Sequence, residues 1–364
     1  MLVSFDESCL VMIVACVLVC LLVCAYSINY ARRMNGWESR RYRWANAMFL
    51  KLKKLLLLKG NSDQRMVSYL IRQFRRPKKI VAFRWMWENK IEGLAEDQKN
   101  RLALAMGKAL PQVCEQYIRN HDGVLGYLID QIEYFGVRSD EVNAFLLKLL
   151  RQNSTSDWIV SMRGVIFAAD EKTMMEVLDY CGTQDIPCSD KLITDTLMAY
   201  LGDKVSLDEA LVKAYPYYRE GVQCSLINYW AQTNNSTVYR VIYLTLIDAQ
   251  ANMNVRIAAI KYFGKVYDDR AWQVISSLMQ DEATAWEIKV NCAKSLEIYP
   301  QQATTEILMS NLSDANWYVR NNCAITLVNQ DEQNMREKLP TLHDHYAKNI
   351  VEYVLRMHDK RHIA

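Results

Sequence analysis

The sequence is poor in the residues that break regular structure, with 12 Gly and 6 Pro among 364 residues. So few obligatory turns exclude an all-β sandwich, a collagen-like chain and a Pro/Gly-rich disordered chain, and imply long regular elements. Catalytic signatures are missing too: no GxGxxG, P-loop, GxSxG or HExxH occurs. The 10 Cys form no CxxC pair and no metal-ligand spacing. Cys114, Cys181, Cys188, Cys224, Cys292 and Cys323 are scattered, which fits a reducing compartment better than a disulfide framework. One further absence is local. Residues 1–29 contain no Lys or Arg at all.

That local absence resolves an uninformative net charge of +3 into three parts. Segment 1–29 carries only Asp6 and Glu7. Segment 30–90 holds 17 Lys/Arg against Glu38, Asp63 and Glu88, and 91–364 is acidic by 9 charges. Each sign calls for its own surroundings.

From Cys9 to Ile28 runs CLVMIVACVLVCLLVCAYSI, uncharged throughout. As a helix it is about 30 Å long, the thickness of a bilayer's hydrocarbon core. Arg32, Arg33, Arg40, Arg41 and Arg43 crowd its C-terminal side, so the positive-inside rule predicts a single-pass anchor with the N-terminus outside and the rest cytoplasmic. A cleaved signal peptide would want a basic start, and this one is acidic.

The segment 30–90 reads as a basic amphipathic juxtamembrane region. Trp37, Tyr42 and Trp44 stand among arginines, then Lys51, Lys53 and Lys54 among leucines. This is the pattern of an interfacial helix, with rings at headgroup level and cations against anionic lipid. Arg75, Arg76, Lys78 and Lys79 follow around Pro77, which separates two helices. Anionic lipid of the inner leaflet and the cytoplasmic side of an integral membrane protein are equally suitable partners for these cations. With a membrane so near, nucleic acid is not expected.

Beyond residue 91 the pattern is helical, with candidate helices at 96–119, 139–151, 170–181, 190–201 and 206–215, and strand alternation is hard to find. A repeat emerges from 222 onward. Val255-Arg256-Ile257-Ala258-Ala259-Ile260-Lys261-Tyr262-Phe263 aligns with Ile288-Lys289-Val290-Asn291-Cys292-Ala293-Lys294-Ser295-Leu296 and with Val319-Arg320-Asn321-Asn322-Cys323-Ala324-Ile325-Thr326-Leu327. A fainter copy runs from Val222 to Trp230. Apolar residues at positions one, five and nine form a helical stripe. The small residue at five (Ala259, Cys292, Cys323) admits a close neighbour. Second helices are expected at 237–249, 271–280 and 303–312. Two helices per repeat cannot bury their faces alone, but stacked repeats form a continuous core.

This pattern resembles the HEAT-repeat family, in which a helix with a Val-Arg-x-x-Ala type signature pairs with a second helix. The resemblance is clearest over 222–330. It implies an all-α chain, an α-solenoid that serves as a protein-binding scaffold, and no catalytic residues or cofactor. The family's Asp before the Val-Arg pair is matched by Asp314, while Gln250 and Ala283 hold the aligned places. The organisation expected is therefore an outward tail and span at 1–29, a basic collar at 30–90, degenerate helical repeats at 91–221, and HEAT-like repeats with a C-terminal helix at 222–364.

Chemistry is sparse. His343, His345, His358 and His362 lie near the C-terminus, and His358 and His362 share a helical face that suits a metal; a solvated polar tail is the plainer expectation. The pairs Asp268-Asp269, Asp281-Glu282 and Asp331-Glu332 fall where inter-helix turns or helix N-termini are expected, and acids at N-termini answer the helix dipole. The function expected is a non-enzymatic, membrane-anchored adaptor whose solenoid positions or regulates a partner such as a polysaccharide-synthesising glycosyltransferase. The alternative is a HEAT-like lyase or modification enzyme at the membrane.

Overall fold

The computed structural model describes residues 36–58, 62–118, 125–151, 155–183 and 189–363, with Val23 and Tyr26. No strand occurs among them. No helix of the described residues is long and apolar enough to cross a membrane, and the span expected at 9–28 lies outside them except for Val23 and Tyr26. The chain divides into two compact units, Met1–Leu149 and Leu150–Ala364.

The first unit contains α1 (36–57), α2 (Ser62–Phe74), α3 (Pro77–Lys90), α4 (Glu96–Ile118), α5 (Leu125–Tyr134) and α6 (Asp140–Leu150). Pro77 does open a helix, where its missing N–H costs nothing. The core is aromatic: Phe83 meets Phe74 edge-on at 4.9 Å and Phe135 at 5.3 Å. Arg101 on α4 ties the corner after α1, donating to the Leu56 carbonyl at 2.9 Å and pairing with Asp63 at 2.5 Å.

The second unit is a repetitive packing of paired helices: α7 (Thr155–Ala168), α8 (Glu171–Thr183), α9 (Asp190–Ala199), α10 (Lys204–Ala214), α11 (Glu220–Gln232), α12 (Tyr239–Ile247), α13 (Met253–Phe263), α14 (Asp269–Gln280), α15 (Trp286–Ser295), α16 (Gln302–Ser310), α17 (Trp317–Gln330), α18 (Glu332–Lys338) and α19 (His345–Ile363). The odd-numbered helices from α7 to α19 pack each on the next, and α12, α14 and α16 form a second layer. Such stacking buries each helix pair only against its neighbours.

Scarce Gly and Pro are explained by how these helices start. Ser189, Asp203, Asn252, Asp268, Asn316 and Asp331 each cap a helix by accepting a backbone N–H, so side-chain oxygens take over the punctuation. Gly264 is a different case. A Cβ there would lie 2.9 Å from the Cα of Ser295, so glycine permits the close approach of α13 and α15.

Candidate interaction surfaces

The aligned fragments become α11, α13, α15 and α17, and their signature residues are structural. Val255, Ala259, Ile288, Cys292, Val319 and Cys323 are buried, with Ala259, Cys292, Val319 and Cys323 wholly enclosed. The cations at position two behave unequally. Arg256 donates to the Leu246 carbonyl at 3.0 Å, and Arg320 to the Asp314 carbonyl at 2.6 Å. Lys289 reaches forward one repeat to the Asp314 carboxylate at 3.6 Å, in a nearly buried ion pair. Asp314 thus links two repeats at the one place where the sequence offers it.

Position eight escapes a hydropathy pattern, yet it links the repeats most regularly. Tyr262 Oη donates to the Asn235 carbonyl at 2.6 Å, Ser295 Oγ to Ile260 at 2.9 Å and Thr326 Oγ1 to Ala293 at 2.9 Å. Each hydroxyl donates to a backbone carbonyl in the preceding repeat, tying neighbouring repeats together through a directed polar contact. The recurrence of a hydroxyl at this one position is the signal in the sequence.

Of the basic residues expected at a membrane or partner, Arg32 and Arg33 lie outside the described residues. Arg40, Arg41, Arg43, Lys51, Lys53 and Lys54 are on α1; Arg75 and Arg76 form the turn between α2 and α3, and Lys78 and Lys79 open α3. Arg75 donates to Gln116 at 3.0 Å, and Lys79 to Gln73 at 2.8 Å. Burial, and then the charge of Arg76, hold the Lys79 ammonium below the usual lysine range.

The aromatics of α1 are placed differently from the interfacial pattern. Trp44 packs under the Lys79 ammonium at 5.3 Å, Tyr42 meets Trp85 edge-on at 5.3 Å, and Phe49 lies beneath Lys90 at 5.6 Å. These rings serve the packing of α1 on α3, because the buried residues Ala45, Met48, Leu52, Leu55 and Leu56 turn that side of the helix inward.

In the second unit large rings remain in water along the odd-numbered helices. Trp286, Trp317, Tyr318, Tyr346 and Tyr353 are between 43% and 65% exposed. Trp286 stacks on Tyr318 with centroids 5.5 Å apart, Trp317 meets Tyr318 edge-on at 5.2 Å, and Arg320 lies over Tyr346 at 5.2 Å. A cleft of about 400 Å³ beside them is lined by Trp317, Arg320, Tyr346, Asn349, Ile350 and Tyr353. Among the tryptophans of the second unit, Trp286 and Trp317 belong to this row. Trp230 is buried and donates to Asp208 at 2.8 Å, and Trp272 donates to Thr304 at 2.8 Å. Tyr318, Tyr346 and Tyr353 were not distinguishable by sequence from the other 18 Tyr.

The acidic pairs and the described C-terminal titratable groups make structural contacts. His358 faces Glu332 at 3.1 Å, Arg336 pairs with Glu332 and Asp359, and the side chain of His362 lies outside the described residues. No group of three metal-ligating side chains occurs among the described residues. Asp268 caps α14 through the Arg270 and Ala271 N–H groups, Asp281 accepts from Ala283 N–H at 3.0 Å, and Asp331 accepts from Asn334 N–H at 3.0 Å. Burial pushes the thiols of Cys114, Cys292 and Cys323 far up and that of Cys224 to about 12.

No protein-family model and no curated protein matches the chain. Among solved structures it is similar to the crystal structure of an engineered protein, at 14% identity over 88% of this chain and 95% of that chain, with a TM-score of 0.36.

Proposed function

We propose that this chain is a non-enzymatic adaptor. Its HEAT-like helical repeats bind a partner protein and position or regulate it at the inner membrane surface, to which a single span at 9–28 tethers them. The observation that carries the reading is the aromatic row. Trp286, Trp317 and Tyr318 stand exposed at the starts of two stacked helices, and Tyr346 and Tyr353 continue the row on a third. Tyr and Trp supply much of the energy of protein interfaces, and contiguous exposed rings mark such sites. Tethering favours a partner that shares the plane of the membrane, because both then search in two dimensions. An integral membrane enzyme, such as a glycosyltransferase building a polysaccharide, fits that requirement by analogy of arrangement.

Affinity purification of the full chain in mild detergent tests this. The expected result is one integral membrane protein at near-stoichiometric yield, reduced at least about tenfold by Trp317→Ala with Tyr318→Ala. Absence of any membrane protein at that yield, or recovery indifferent to the double variant, overturns the reading.

A further inference from the structure

Helix α1 presents two unlike sides. Its packed side is the apolar set facing α3 and the start of α4. At 3.6 residues per turn the opposite side reads Arg40, Arg43, Ala47, Leu50, Lys51, Lys54 and Leu57, all exposed. Leu50 and Leu57 are each 67% exposed, and Leu58 follows at 42%. Arg43, Lys51 and Lys54 have no ion-pair partner among the described residues, and Glu38, the only acid of α1, falls on the other side of the helix.

We infer that this outer side of α1 is a docking surface for an anionic lipid leaflet. Two demands have to be met together, by a partner with negative charge at its surface and an apolar layer directly beneath it. Polyanions such as nucleic acid satisfy the cations and leave the leucines in water. A leaflet takes both: the ammonium and guanidinium groups stay among phosphates on flexible stems while the leucines enter the acyl boundary. Each such cation near an anionic leaflet strengthens binding by a few-fold to tenfold. The surface also lies close to where a leaflet would be. Residues 29–35 join the uncharged run to α1, and seven residues reach at most about 25 Å. The inference deepens the tethering part of the proposed function, which it shares, and it assigns lipid contact to leucines and α1 cations in place of the aromatic rings.

The test uses the full chain carrying photoreactive benzoylphenylalanine at position 57, in nanodiscs of phosphatidylcholine with or without phosphatidylglycerol. Irradiation is expected to give lipid adducts, at least about tenfold fewer in the Lys51→Glu, Lys54→Glu variant, and fewer from the same probe at Tyr42, which abuts Trp85. Helix content by circular dichroism checks that the variant, altered only at exposed positions, is folded. Absence of lipid adducts from chains residing in the bilayer overturns the inference, as do equal yields from the charge-reversed variant or adducts to protein or nucleic acid instead. Alkaline extraction of native membranes reports separately on the span. Should the chain be released there, flotation of the full chain with phosphatidylglycerol vesicles against phosphatidylcholine ones still decides whether α1 binds lipid.

Discussion

Thr326 shows how one side chain joins two repeats. Its hydroxyl reaches the Ala293 carbonyl at 2.9 Å, and both groups are buried. Valine keeps the shape and removes the donor, which leaves a carbonyl in the core with its desolvation uncompensated. Thr326→Val is therefore expected to cost about 1–3 kcal/mol in urea unfolding, while Thr326→Ser, which keeps the donor, costs less. Equal losses from the two variants would assign the effect to packing and not to the bond. The sequence showed half of this residue's role. Position nine announces the core because Phe263 and Leu327 are apolar, but position eight is Tyr, Ser or Thr, three residues that differ in size and share only a hydroxyl. A reading built on hydropathy passes over it. The buried thiols complete the picture at this scale: Cys292 and Cys323, wholly enclosed, act as small apolar residues where Ala259 stands in the first copy.

At the scale of the element, helix starts carry the charge logic. Asp268 accepts two backbone N–H bonds at the start of α14 and pairs with Arg270 at 2.7 Å. The Arg270 guanidinium, aided by those N–H groups against some desolvation, holds the Asp268 carboxyl below the usual carboxylate range. A depressed folded-state pKa means that the stabilisation is present above the unfolded pKa and disappears as pH falls through the folded one. The wild type is expected to lose stability on acidification that Asp268→Asn, still able to cap, loses less steeply. Parallel acid limbs for the two proteins in thermal melts would exclude this role. Most elements were legible because their apolar stripes are long. The helices expected at 96–119, 170–181 and 190–201 correspond to α4, α8 and α9 within a few residues. Helices α5 and α7 lay in stretches where no stripe was picked out. The exposed aromatic row was only half visible, since nothing in a single sequence tells a Trp that faces solvent from one that fills a gap between repeats.

For the whole molecule, charge is segregated along the chain: none basic in 1–29, seventeen basic in 30–90, and an acidic excess beyond. Composition shifts at those places were readable, whereas the division between the two compact units at 149/150 falls where composition does not change, so only contacts reveal it. The same segregation makes the proposed span and its orientation testable. Basic residues within about 15–20 positions of a span resist translocation, and here they lie only on its C-terminal side. Full-length protein is therefore expected to stay in the membrane pellet under alkaline extraction, with its repeats protected from protease outside intact cells. Replacing Arg32, Arg33, Arg40, Arg41 and Arg43 with Gln while adding Lys near Asp6 removes the asymmetry and should leave a substantial fraction of the repeats open to external protease. If the altered chain remains fully protected, the arginines do not set the orientation; if the unaltered chain is stripped by alkali, residues 9–28 do not span. The two outcomes separate the anchor from its direction, and the α1 leaflet contact remains testable in either case, because its exposed cations and leucines lie at positions 40–57, outside the uncharged run at 9–28.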